Sequence, residues 1–352
     1  MNKLHWSLLA TASGAIPAYA ITLTQISTTF NSPIGIDYHE PTQSVIASVN
    51  YNSGGTPYNL ERILLDGSHT QFSGVSGLTD ELKIATVRSG NVGGFSTGEV
   101  FTGTGVDGQI IRISPNGSSF SYINLPYDVV PGDSNHGLMR GSLYVDRTGV
   151  YGGDLITVTT GGEVWRINNS GSTTFIADVN THLEGLMTVP NNTSLYGPLA
   201  GKIIAGAEEQ GLMYVFDSGG FVTTHSLGVA IEDIDLIEPG ENFFGVNFGS
   251  SRILGAPASD FASMANDILL TQESPTGGSS LFHLEWNGSS LVTTQVALDF
   301  GSEVPSQWEH VTFAPAGIVE IQPTVPEAST WFAGIGLVAA VAGTAWRQRR
   351  QH

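Results

Sequence analysis

One phrase returns five times along this 352-residue chain: a β-rich run, a turn with Gly next to Asp, Asn or Ser, and a second β-rich run. The copies cover 62–72, 110–120, 164–175, 213–221 and 282–291, with turn glycines Gly67, Gly117, Gly171, Gly219 and Gly288. Asn-Gly and Asp-Gly between alternating apolar runs mark β-hairpins, because the tight turn needs a residue that tolerates positive φ. The glycines lie 50, 54, 48 and 69 residues apart. A hairpin-bearing unit of that period cannot bury its apolar face alone, and it points to four-stranded blades stacked around an axis.

A second strand-like phrase precedes each hairpin, at 35–40, 80–87, 141–147, 184–190 and 232–239, and a sixth, 309–315, follows the last one. Six inner strands and five hairpins predict an all-β, six-bladed β-propeller over 21–322. Residues 21–26 then supply an outer strand to the final blade, which removes the exposed sheet edges. Five or seven blades, or a pair of β-sandwiches, are the alternatives. The long last interval reads as an insertion around 252–267, whose Ala-rich 256–265 stretch suits a short helix or loop.

The composition agrees with this. The chain has 44 Gly and 16 Pro, and only 13% of its residues are charged, which suits short strands and tight turns rather than salt-bridged helices. It has no cysteine, so disulfides, thiolate metal sites and cysteine nucleophiles are excluded. Its net charge is −19, from 32 acidic and 13 basic residues, and four of the basic ones (Lys3, Arg347, Arg349, Arg350) lie in the terminal segments. So acidic a body repels nucleic acid and favours cations or neutral ligands.

The two ends read as addresses. Residues 1–20 have the form of a signal peptide: Lys3, a mostly apolar 4–16, a break at Pro17, and the A-x-A site Ala18-Tyr19-Ala20, after which a signal peptidase would cut to leave a mature chain starting near Ile21. At 323–352, Val325, Pro326 and Glu327 precede an uncharged apolar segment, 331–346, that begins at Trp331 and ends at Trp346. Arg347, Arg349 and Arg350 follow. At 1.5 Å per residue the segment spans roughly 24 Å as a helix, near the span of a bilayer core once Ser329 and Thr330 extend it. The basic end predicts a cytoplasmic C-terminus. This tail resembles the PEP-CTERM sorting signal of Gram-negative bacteria, with Ala328 where that family usually has its second proline. The resemblance implies an exosortase-type enzyme as partner, a membrane-anchored intermediate, and delivery to the periplasm, cell surface or extracellular matrix.

Three inner strands open with a carboxylate: Glu184, Glu232 and Glu309. In a propeller such positions converge on one end of the central channel, where like charges repel unless a cation or protons intervene. Oxygen donors of this kind suit Ca²⁺ or Mg²⁺. Asp80 and His136 fall near comparable positions and would complete the set. The plainer reading is that these groups solvate a wet channel mouth. The blades resemble, in architecture, six-bladed propellers of the NHL and SMP-30/gluconolactonase group. That likeness implies a metal-dependent hydrolase or lactonase as one function, with His182 and His310 the nearest acid/base candidates. Residues 243–249 and 308–315 are similar to propeller proteins that carry PEP-CTERM tails. The Gly-x-Gly-x-x-Gly match at 103–108 lies between two strands and opens no helix, so it is a blade loop. No other catalytic motif occurs, so the leading expectation is a binding or scaffold module of the envelope. The hydrolase is the rival, and a matrix role with exopolysaccharide or an envelope protein is the third reading.

Overall fold

The computed structural model describes residues 20–27, 30–126, 136–140, 142–273, 279–299 and 306–318. Ala18 and the whole sorting tail, including Val325 to Glu327 and the segment 331–346, lie outside the described residues. Among the described residues no helix is long and apolar enough to cross a membrane.

The described strands form six four-stranded antiparallel sheets and one two-stranded parallel sheet. The innermost strand of each large sheet packs against that of its neighbour. The ring runs through Ile36–His39, Ile84–Thr86, Leu143–Val145, Glu184–Thr188, Asp233–Leu236 and Trp308–Pro315, then back to Ile36–His39. The body is a six-bladed β-propeller, and all six expected inner strands are present. They are buried along almost their whole length, whereas the outer strand Phe120–Asn124 is mostly exposed. Apolar clusters lie between blades: Phe101 and Ile110 of blade 2 pack with Leu155 and Trp165 of blade 3. Phe243, Trp308 and Phe313 of blade 6 pack with Leu269 and Leu281 of blade 5. Each such side chain contributes about 1.5–3 kcal/mol on burial, which suits a domain that has no disulfide to close its ring.

The turn glycines have a second role. Gly117 and Gly220 have φ of 71° and 83°, and a Cβ on either would run into the carbonyl of Phe72 or Ile176, on the preceding blade. In blade 4 the left-handed position is therefore Gly220, one residue beyond the expected Gly219.

Closure follows the expected logic with one correction. Thr24–Gln25 is the outer strand of blade 6, as anticipated, while Ile21–Thr22 pairs in parallel with Leu298–Asp299. Residues 252–256, however, are not an insertion. After the inner strand of blade 5 the chain crosses to blade 6 and forms Glu241–Asn247 and Arg252–Ala256. It then returns through two short helices, Ala258–Phe261 and Ala262–Met264, to complete blade 5. The 69-residue interval is long because one blade's hairpin is threaded through another blade's sequence.

Candidate functional site

The six inner strands run in the same direction, so their starts meet at one end of the channel. Glu81 and Lys83 come just before the blade 2 strand, Arg140 before that of blade 3, and Glu184 opens that of blade 4. Glu232 and Glu309 arrive from blades 5 and 6. Glu208 comes from the turn after the second strand of blade 4. A bulge between Glu184 and Leu186 shifts the register of this strand at the channel mouth. It depends on Gly185, whose φ is 41° and whose missing Cβ leaves room for the Asp233 backbone.

The Lys83 ammonium stands among the carboxylates. It lies 2.8 Å from Glu232 Oε1 and 3.9 Å from Glu184 Oε2, and it donates to the Glu232 carbonyl at 2.7 Å. Arg140 donates to Glu81 at 2.7 Å and lies 3.5 Å from Asp80 and 3.9 Å from Glu184. His182 Nε2 is 2.8 Å from Glu184 Oε1, though off the line that a hydrogen bond needs. Glu184, Glu208 and Glu232 each present an oxygen within 4.8 Å of the others. The Glu309 side chain is different. The residue is 4% exposed, its charged neighbours are Lys83, Glu81, Glu273 and Glu184, and it makes no hydrogen bond or ion pair with a described residue.

Protonation follows from this crowding. Burial pushes the Glu232 carboxyl well above the usual range, against the pull of Lys83, and Glu184 adds to the rise. Burial likewise raises Glu309. It also raises Glu208, to about 7, with help from Glu184 and Glu273. Burial opposes ionisation of Glu184 too, yet Lys83, a hydrogen bond shared with Glu232, and His182 together hold it low. The result is an acid–carboxylate pair clamped by an ammonium.

Glu184, Glu232 and Glu309 thus meet as the sequence suggested, with Asp80 at their edge through Arg140. His136 does not join them. Its Nδ1 lies 2.6 Å from Glu163, which also accepts from Trp165 Nε1 at 2.8 Å, and the imidazole packs edge-on to the Trp165 ring. His136 is therefore part of the blade 3 wall, and the channel position expected of it belongs to Arg140. His310 is not at the mouth either: it lines the channel below it. Its Nδ1 accepts from the backbone N–H groups of Ile36 at 3.0 Å and Ile84 at 3.4 Å, which leaves no lone pair for general base work. Lys83, Arg140 and Glu208 were missed.

No family model matches the sequence, and no curated protein matches it. Solved structures do. A streptogramin B lyase is 12% identical, covering 84% of this chain and 92% of its own, with a TM-score of 0.47. A protein provisionally named a gluconolactonase is 11% identical over 79% of this chain and 94% of its own, with a TM-score of 0.45. A Bacteroides thetaiotaomicron protein of unknown function is 13% identical over 84% of this chain and 73% of its own, with a TM-score of 0.50. At these identities likeness speaks to fold alone.

Proposed function

We propose that this chain is an exported, surface-sorted binding module of a Gram-negative envelope, and that it takes a positively charged group at the acidic mouth of its channel. The observation that carries this is Glu309, a buried carboxyl with no hydrogen-bond or ion-pair partner among the described residues, facing a cluster whose carboxylates outnumber its cations. Protons or a ligand must make up the deficit. Export on residues 1–20 and sorting by an exosortase acting at Val325, Pro326 and Glu327 would deliver the propeller to the cell surface or matrix. Exopolysaccharide or an envelope protein would be its neighbour there.

Ca²⁺ or Mg²⁺ is one candidate for the bound group. The carboxylates of Glu184, Glu208 and Glu232 are the hard oxygen donors that such ions take. Lys83 bears on the fit, because its ammonium already holds Glu232, and a divalent ion would share these carboxylates with it. Calorimetric titration of the protein with calcium and magnesium tests the reading, using Glu309→Gln and Glu208→Gln as variants. Binding that weakens at least tenfold in either variant supports it. A wild-type protein free of metal, indifferent to chelator and silent in the titration sinks the metal version.

One observation favours the rival. Glu208, with its carboxyl near 7 and close to the His182–Glu184 pair, has the character of a general base. A metal-dependent hydrolase or lactonase would show turnover of simple lactones that Glu208→Gln abolishes, and no turnover leaves the binding module standing.

A further inference from the structure

At its other end the channel is furnished differently. A small cavity lies on the axis, and every inner strand contributes to its wall. Its charged lining is Asp37 from blade 1, Arg147 from blade 3 and Asp235 from blade 5. Asp37 is fully engaged. Its oxygens accept from the backbone N–H groups of Tyr38 and Thr86, both at 2.7 Å, and from the hydroxyls of Thr86 and Thr312, both at 3.0 Å. Arg88, on the rim, is engaged as well, donating to the Phe313 carbonyl at 2.6 Å and to Glu241 at 3.2 Å.

Arg147 is not. Its Nη2 stays 3.7 Å from Asp37 Oδ1, its guanidinium lies 5.1 Å from the centre of the Tyr144 ring, and it donates no hydrogen bond to any described residue. Its Nη1 is buried. Asp235 matches it: the residue is 6% exposed, and among the described residues its side chain accepts only from the N–H of its own neighbour Leu236, at 2.8 Å. A half-buried guanidinium and a buried carboxyl thus face one cavity without reaching each other.

We propose that this axial cavity is a second ligand site, where a small carboxylate bridges Arg147 and Asp235. A guanidinium offers a planar fork of donors that matches a carboxylate in two parallel hydrogen bonds. The Tyr144 ring lies beneath that fork. A protonated Asp235 supplies the complementary O–H. Burial pushes its carboxyl up to about 7, with Asp37 adding to the rise while Arg147 and Arg88 oppose it. The other charged or titratable groups near it are Tyr144, Glu238, Glu241 and a neutral His310. Glu238 and Glu241 offer no donor, so the carboxylate's principal hydrogen bonds come from Arg147 and from Asp235, with the Tyr144 hydroxyl and His310 Nε2–H as further donors on the wall. The site does not depend on the mouth being a ligand site.

The test uses the whole protein in chloride-free buffer at constant ionic strength, titrated with acetate, with glucuronate for a carboxylate borne on a sugar, and with nitrate as a control for charge. Ligand that binds only the folded state raises the melting temperature with concentration. The expected result is a rise with acetate, glucuronate or both that exceeds the nitrate response, is larger at pH 6 than at pH 8, and is absent in Arg147→Met. Asp235→Asn, which keeps an N–H donor, should respond equally at both pH values. No response to either acid up to roughly 100 mM overturns the proposal, as does an equal response to nitrate or a response surviving in Arg147→Met. Should Arg147→Met fail to fold, Asp235→Asn decides: an unchanged pH dependence overturns the assignment.

Discussion

The two ends of the channel solve one problem in opposite ways. Both bring charged side chains out of water, where an isolated charge costs several kcal/mol. At the mouth the chain supplies its own counter-ion, since Lys83 reaches in and touches Glu232 by two routes. At the far end two guanidiniums share Asp37 at 3.7 Å each, and Arg147 keeps its donors. The difference teaches that charge balance and hydrogen-bond satisfaction are separate demands. The mouth has too much negative charge but a well-bonded cation, while the far end is nearly balanced yet holds an unbonded one.

The same substitution at both ends would expose this contrast most sharply. Lys83→Met removes the clamp and leaves Glu184 and its neighbours to repel one another, and we expect a loss of about 3 kcal/mol at pH 7. Arg147→Met removes a half-buried cation that makes no hydrogen bond to a described residue, and should change stability by less than about 1 kcal/mol in either direction. Urea denaturation of both variants measures the pair. Equal losses would mean that Arg147 is held by something other than the contacts described, and the comparison would fail.

The next effect is a pH dependence with a defined sign. Glu208 and Asp235 both have folded-state carboxyls raised to about 7. A carboxyl raised on folding contributes stability that is complete below its unfolded value, about 4, and is lost as pH rises toward the folded value. Asp37 is held low despite burial, chiefly by Arg147 and Arg88, and Glu184 is low too. Their contributions are present above about 4 and fail only in stronger acid. Stability should therefore fall between pH 5 and 7, with each fully buried proton worth at most about 1.4 kcal/mol per pH unit. Asp235→Asn should flatten this slope more than Glu208→Gln, because Glu208 is half-exposed and its charge is screened. A larger effect from Glu208→Gln would reverse the ranking of the two ends.

The sequence made one half of this comparison readable. Hairpin turns are local, so Gly67, Gly117, Gly171 and Gly288 could be found from their neighbours alone. Equal positions at the starts of inner strands then carried Glu184, Glu232 and Glu309 to one site. The exchange between blades 5 and 6 was hidden, because strand pairing across blades leaves no mark in local periodicity. His136 carries no mark of its place in the blade 3 wall, because its Glu163 and Trp165 partners come from a later strand, and Arg140, four residues on, takes the channel position. Lys83 did leave a signal: it is a lone cation between Leu82 and Ile84, in a chain with few cations to spare. Arg88 and Arg147 stood in the open as well, each just past the end of an inner strand, but single arginines in such turns look like surface residues until the ring closes around them.

The smallest expected effect concerns what lies beneath Arg147. Tyr144 is 8% exposed and packs in the cluster that joins blades 3 to 5, and its hydroxyl makes no hydrogen bond to a described residue. If the ring face alone supports the guanidinium, as a cation–π contact worth about 0.5–1 kcal/mol would, then Tyr144→Phe keeps that support and deletes only the hydroxyl. Stability should shift by less than about 0.5 kcal/mol, and the response to acetate should persist. A loss above about 1 kcal/mol, or a lost response, would show that the hydroxyl belongs to the far-end network. Arg147 would then share its cavity with a second donor, and the contrast between a clamped mouth and an open guanidinium would narrow accordingly.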